Sequence, residues 1–257
     1  MPADDAVAVL ALEGIPEIRR GADLASLIGD AIERTTNALP LTGQDVLVVT
    51  QKIVSKAEGA VVDLASVDPG ERAVEFARRY DRDPRQVQVV LDEAVRVVRM
   101  ENGVLITETA HGFVCANGGV DASNVGPDSG SVVTLLPRDP DASAASIRAG
   151  IRARFDLDVP VIVSDSFGRP WRWGIVDVAI GVSGLRPLDD LRGRPDADGR
   201  IMRSTVRAVA DELASAAELA FGKTTGRPVA IVRGAAFERG DGSIREVLMP
   251  AANDLFR

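Results

Sequence analysis

The sequence predicts a mixed α/β fold, and three observations carry that expectation. Residues 46–49, 159–163 and 228–232 form short apolar runs too continuous for half-exposed strands, so they read as central strands of a sheet. Other segments repeat their apolar residues at helical spacing, as Leu24, Leu27, Ile28, Ala31 and Ile32 do. Glu101-Asn102-Gly103, set between two β-branched runs, is a tight hairpin signal and makes part of the sheet structure antiparallel.

In chain order, residues 7–12 read as a short apolar strand, and Gly14-Ile15-Pro16-Glu17-Ile18 as a turn whose backbone Pro16 restricts. Asp23 is placed to cap a helix that ends before Leu39-Pro40. The buried strand at 46–49 runs directly into Thr50-Gln51-Lys52-Ile53-Val54-Ser55-Lys56-Ala57-Glu58-Gly59, which brings hydroxyls, an amide and two lysines to the end of a strand, a favoured ligand position in α/β sheets. Residues 68–80 predict a helix with Pro69 and Glu71 in its first turn. Residues 87–91, 95–100 and 104–107 predict strands of an antiparallel ribbon, and residues 131–136 a further strand. A helix over 141–155 carries Ser143, Ser146 and arginines on its polar side. Residues 176–182 are strand-like, and residues 203–221 predict a long alanine-rich helix leading to the last strand.

Composition limits the function. A formal net charge of −8 argues against a surface for nucleic acid or anionic lipid, and a phosphate ligand on such a protein calls for a metal. The first residues have no signal-peptide pattern and no apolar run is long enough to span a bilayer, so the expectation is a cytoplasmic protein. The single cysteine, Cys115, reads as a small buried apolar residue and excludes a multi-cysteine zinc site. The single histidine, His111, weakens Ser-His-Asp and polyhistidine zinc mechanisms and reads first as a hydrogen-bonded structural residue.

Two glycine-containing loops stand out. In Gly118-Gly119-Val120-Asp121-Ala122-Ser123-Asn124-Val125-Gly126, Asp121 offers a hard anionic oxygen for Mg²⁺ or Mn²⁺, and Asn124 can read a base, sugar or phosphate; the same residues also make ordinary surface turns. In Val163-Ser164-Asp165-Ser166-Phe167-Gly168-Arg169-Pro170-Trp171, a carboxylate and a hydroxyl follow a buried run, and Arg169 is suited to phosphate oxygens. Trp171 and Trp173 read as packing or interface anchors. Neither a P-loop nor a dinucleotide glycine fingerprint is present, so the expectation is one composite site built from several loops, with Gly222-Lys223-Thr224-Thr225-Gly226 as a further contributor.

Four segments in order resemble the successive signatures of the coenzyme F420:L-glutamate ligase family: Val48 through Gly59, Gly119 through Gly126, Asp165 through Trp171, and Val232-Arg233-Gly234. The resemblance covers nearly the whole chain. It implies a single unit over residues 1–257 with an unusual two-subdomain fold, mixed sheets and an intertwined homodimer. A C-terminal flavin-binding domain occurs in many actinobacterial relatives, and none is expected here. The implied activity is GTP-dependent ligation of L-glutamate to a glutamate-free deazaflavin precursor through an acyl phosphate, followed by γ-linked additions. Implied cofactors are Mg²⁺ or Mn²⁺, as two ions, and K⁺.

Carried over by position, Asp121 and Asp165 match metal ligands, and Ser166 matches a second metal ligand often occupied by threonine. Gln51, Lys56 and Asn124 match nucleotide contacts. Ile15, Pro16, Glu17 and Ile18 match the loop that holds GTP, and Phe221, Gly222, Lys223, Thr224, Thr225, Gly226, Arg227 and Pro228 match a late nucleotide loop. Lys223 stands where some relatives carry a glutamine at the second metal, and a protonated lysine cannot ligate. Asp121, Asp165 and Lys56 are the expected catalytic residues. A nucleotide phosphoryl transferase or hydrolase would use the same metal and phosphate groups, whereas a non-catalytic nucleotide-binding module would need no carboxylate pair.

Overall fold

The structure is a computed structural model and describes residues 6–35, 40–123 and 130–255. It begins with β1 (Ala8–Ala11), α1 (Leu24–Thr35), β2 (Val46–Thr50) and α2 (Gln51–Glu58). A middle region follows, with β3 (Val61–Asp63), α3 (Glu71–Tyr80), α4 (Pro84–Glu93), β4 (Ala94–Glu101), β5 (Val104–Thr109), β6 (Val114–Ala116) and β7 (Val132–Thr134). The chain then returns through α5 (Pro140–Phe155), β8 (Val161–Arg169), β9 (Arg172–Ser183), the short pair β10 (Asp189–Asp190) and β11 (Val206–Arg207), α6 (Val209–Phe221) and β12 (Val229–Arg233).

The main sheet is mixed, with the order β1-β12-β2-β8-β9; only β2 and β8 are parallel neighbours. The continuous apolar runs explain its centre, because Val46 to Val49, Val161 to Val163 and Val229 to Val232 are buried on both faces. Their largest core also takes in the apolar faces of α1, α5 and α6. Asp23 accepts a hydrogen bond from the Ser26 N–H and so supplies the expected cap of α1. Two smaller clusters hold the middle region together: Phe76, Val87, Val90 and Leu105 in one, and Leu64, Val89 and Val133 in the other.

The hairpin β4-β5 turns at Asn102 (φ 52°) and Gly103 (φ 73°), the paired left-handed conformation that Asn-Gly favours. Three expectations are corrected. Residues 87–91 lie in α4, because Asp83 caps that helix and Pro84 sits in its first turn; the short apolar run is the buried face of a helix. Residues 203–208 precede α6 and include β11. The segment around Asp165 is strand rather than loop: β8 continues to Arg169 because it stays paired with β9. A smaller difference is that α3 starts at Glu71, with Gly70 as its N-cap.

Strand β9 closes one edge of the sheet, and acidic side chains cap its outward N–H groups. Asp177 N–H donates to Glu218, Ala179 N–H to Asp211 and Val182 N–H to Asp141, at 3.0, 2.9 and 2.7 Å. No helix among the described residues is long and apolar enough to cross a membrane.

Candidate active site

Strand directions gather the site at one end of the main sheet. The carboxyl ends of β1, β2 and β8 point the same way as the amino ends of β12 and β9. That end therefore collects the loop after β1, α2 after β2, the loop entering β12, the outer half of β8 and the start of β9, as expected for ligand sites in open α/β sheets. Backbone hydrogen bonds close the arrangement, with Thr50 N–H donating to Pro228 and Leu12 N–H to Val229.

Helix α2 starts immediately after β2, and no side chain of its N-cap Thr50 occupies the helix N-terminus. Its Lys52 reaches the Asp121 segment: Nζ lies 2.5 Å from Asp121 Oδ2, donates to the Ser123 carbonyl, and contacts Ser123 Oγ at 3.1 Å. Asp121 is fixed on its other side by a two-way backbone bridge to Thr134, and its Oδ1 accepts from Ser123 N–H at 2.7 Å. Burial opposes ionisation of Asp121, but the bonds from Lys52 and Ser123 outweigh it and hold the carboxyl below its ordinary range.

Asp165 lies beside this group. Burial pushes its carboxyl up to about 7; the Ser166 N–H works against that, and the charges of Asp121 and Asp177 add to it. The site thus holds neighbouring carboxylates in a setting that disfavours their joint ionisation, a frequent property of functional centres.

Alternation along β8 places Ser164 and Ser166 on the side of the sheet opposite Asp165. There both hydroxyls donate to Asp177, at 3.1 and 2.7 Å. Lys223 Nζ joins them, 2.8 Å from Asp177 and 2.8 Å from Glu218, and donates to Ser166 Oγ. Burial opposes the charge on Lys223, but its bonds to Asp177 and Glu218 raise its pKa. The expected metal set is therefore divided: Asp121 and Asp165 come together with Lys52, while Ser166 belongs to the Lys223 group.

The loop after β1 docks onto α2 through Lys56 Nζ, 2.5 Å from Glu17 Oε1, and through Gly21 N–H to Ala57. Ile15 packs against the core, Ile18 is buried, and Pro16 and Glu17 are exposed. Gln51 is buried, with Nε2 on Ser55 Oγ (2.5 Å) and the Leu135 carbonyl (2.9 Å), which ties α2 to the segment after β7. In the late loop, Phe221 is buried, residues 222–226 are exposed, Thr225 donates to the Phe221 carbonyl, and Arg227 lies 3.8 Å from Glu13 beside Pro228. Asn124 lies outside the described residues. Arg169 is four positions beyond Asp165, roughly 13 Å along the strand, and exposed near the hairpin tip, so it does not share that centre.

Sequence reasoning missed Asp177, Glu218 and the role of Lys52. An acid inside the apolar run Val176-Asp177-Val178-Ala179-Ile180 was the available signal for Asp177. His111 bonds the Pro137 carbonyl at 2.9 Å and stacks on Phe113, a structural placement. Cys115 is buried as expected. Trp171 and Trp173 project from the β8-β9 hairpin, 82% and 103% exposed, so neither packs in the core.

The donor chemistry fits a hard divalent ion at Asp121 and Asp165, since a bound cation would stabilise the carboxylate that burial and like charge disfavour. Among the described residues no three acidic, histidine or cysteine side chains form a complete metal cage. Two carboxylates supplemented by substrate phosphates and water match the way Mg²⁺ is commonly held.

Fold and site together describe a mixed α/β protein with a carboxylate and lysine centre assembled from several chain segments. A family model described as F420-0:gamma-glutamyl ligase matches residues 14–234. The chain is 41% identical over 254 residues to the coenzyme F420:L-glutamate ligase of Methanothermobacter thermautotrophicus, covering 98% of this chain and 99% of that protein. It is 44% identical over 219 residues to the protein of the same name from Methanocaldococcus jannaschii, covering 85% and 86%. The namesake from Methanopyrus kandleri is 42% identical over 256 residues, covering 96% and 98%. The chain belongs to the F420-0:gamma-glutamyl ligase family.

Proposed function

We propose that this chain ligates L-glutamate to the glutamate-free deazaflavin precursor of coenzyme F420, consumes GTP through an acyl phosphate, and extends the tail by γ-linked additions. The observation that supports this most is the gathering of Lys52, Lys56, Asp121 and Asp165 at one end of the sheet in a member of this family. A carboxylate does not form an amide at neutral pH without activation, and γ-phosphoryl transfer supplies that activation; displacement by the glutamate amine then releases phosphate.

The chain's own residues divide the work. The open N-terminus of α2 directs backbone N–H groups to the ligand end of the sheet, where they favour phosphate oxygens. Lys56, whose side chain is only 10% exposed, supplies fixed positive charge and holds the Glu17 loop against α2. Lys52 orients Asp121 through the Ser123 turn. A Mg²⁺ or Mn²⁺ ion on Asp121 and Asp165 would neutralise phosphate charge and align the in-line transfer. The late loop, residues 221–228, would border the nucleotide from the β12 side.

We also propose a homodimer, supported by the exposed apolar hairpin of Trp171, Trp173 and Ile175. The test is mass spectrometry of a reaction containing the glutamate-free precursor, L-glutamate, Mn²⁺ and either GTP or ATP. K⁺ is exchanged for Na⁺ in parallel. Products heavier by one or more glutamates with GTP are expected. GTP loss without an adduct would indicate a phosphoryl transferase or hydrolase, and no change in either would favour a binding module.

A further inference from the structure

We propose that Lys223 is a resident cation at the Ser166, Asp177 and Glu218 cluster, so that the centre takes one divalent ion, at Asp121 and Asp165, rather than two. This rests on the metal-dependent ligase reading above and concerns how this chain arranges its positive charge.

The cluster is built as an ammonium site. A lysine ammonium has three donors and no acceptor, and Lys223 Nζ faces three oxygens: Asp177 Oδ1 and Glu218 Oε1, each at 2.8 Å, and Ser166 Oγ. Asp177 is 2% exposed, and both its oxygens are engaged, Oδ1 by Lys223 and Ser166 and Oδ2 by Ser164. Glu218 uses Oε1 for Lys223 and Oε2 for the Asp177 N–H. A divalent ion placed here would have to displace the partly exposed ammonium and break its bonds to the buried Asp177 carboxylate, and the second is the larger cost.

Lys52 does not play the same part on the other side of β8. It neutralises Asp121, but its remaining contacts are to Ser123, whereas Asp165 takes the Ser166 backbone N–H and faces like charge from Asp121 and Asp177. Each group sets one lysine against two carboxylates, but Lys223 bonds both Asp177 and Glu218, whereas Lys52 bonds Asp121 and reaches Asp165 only through its charge, so demand for an additional cation lies at Asp165. Strand alternation keeps these positions on opposite faces of the sheet, so one ion does not serve both.

The test counts Mn²⁺ bound per chain by electron paramagnetic resonance, using the full chain saturated with a non-hydrolysable GTP analogue. Wild type and Lys223→Arg should bind one ion, and Lys223→Gln should bind two, because an uncharged oxygen-bearing side chain then joins Ser166, Asp177 and Glu218. Thermal unfolding gives a second readout: Lys223→Gln should melt lower than wild type in chelator and show the larger upward shift on adding Mn²⁺. Two ions in wild type or Lys223→Arg, or one in Lys223→Gln, would overturn the proposal. If Lys223→Gln does not fold, the wild-type and Lys223→Arg counts decide. Mn²⁺ binding by none of the three would remove the metal-dependent reading itself, and the proposal with it.

Discussion

Replacing Asp45 by alanine should cost this protein a large share of its stability without touching the site. Asp45 is fully buried and holds Arg233 by two bonds of 2.7 Å, while its Oδ2 also accepts from the Thr42 N–H at 2.7 Å. Arg233 is 19% exposed and additionally donates to the Pro40 carbonyl, so the pair fastens the end of β12 to the segment before β2. The next residue, Gly234 (φ 79°), passes so close to Ala6 that an added Cβ would lie 2.3 Å from its carbonyl oxygen. In Asp45→Ala the guanidinium stays largely buried without its carboxylate, a loss of about 3–5 kcal/mol. For a chain of this size that corresponds to a fall in melting temperature of roughly 6–20 °C. Calorimetry or circular dichroism measures it, with Arg233→Met and the double variant completing a cycle. The double variant should be more stable than Asp45→Ala, since it no longer buries an unpaired charge. A loss below about 1 kcal/mol for Asp45→Ala, or strict additivity in the cycle, would refute this reasoning.

Other consequences follow from the same contacts. Burial, with a further push from Asp165, raises the Cys115 thiol to about 12, so native protein should resist iodoacetamide at pH 8 while unfolded protein is alkylated rapidly; fast labelling of the native form would contradict that placement. Burial also raises Asp211 against the bond it accepts from the Ala179 N–H. A carboxyl whose folded pKa lies above its unfolded value loses stability for the fold as pH rises from that unfolded value through the folded one. Asp211→Asn, which keeps the acceptor, should therefore match wild type in acid and be more stable at pH 8, as urea titrations at both pH values would reveal. Lys56→Met should lower kcat/KM with GTP by about a hundredfold. Glu17→Gln should raise the KM for GTP by less than about tenfold, because its ion pair is half exposed; equal effects would mean that Lys56 acts only by holding the loop.

The fold was legible wherever a segment's own pattern decided its structure. The buried strands β2 and β12, the Asp23 cap of α1 and the Asn102-Gly103 turn needed no distant partner to be recognised. Residues 87–91 misled because five apolar-rich positions suit a strand or a buried helical face equally, and the Asp83-Pro84 start signal that separates the two lies upstream. The outer half of β8 was hidden by its polarity, since Ser164, Asp165 and Ser166 become tolerable in a strand only once Asp177 and the site surround them. Asp121, Asp165, Glu17 and Lys56 stood in recognisable motifs, whereas the contact between Glu17 and Lys56 emerged only from the docking of the loop after β1 onto α2. Asp177, Glu218 and Lys223 form one group only through the β8-β9 pairing and the packing of α6, which local spacing does not encode.

The most direct test of the central claim is single-turnover ligation by Asp165→Asn, followed by mass spectrometry with GTP binding measured alongside. If Asp165 holds the ion that aligns phosphoryl transfer, the variant should still bind GTP but form the glutamate adduct at least about a thousandfold more slowly, a loss of about 4 kcal/mol in transition-state stabilisation. Ligation within tenfold of wild type would contradict the assignment of the Asp121 and Asp165 centre as the catalytic one.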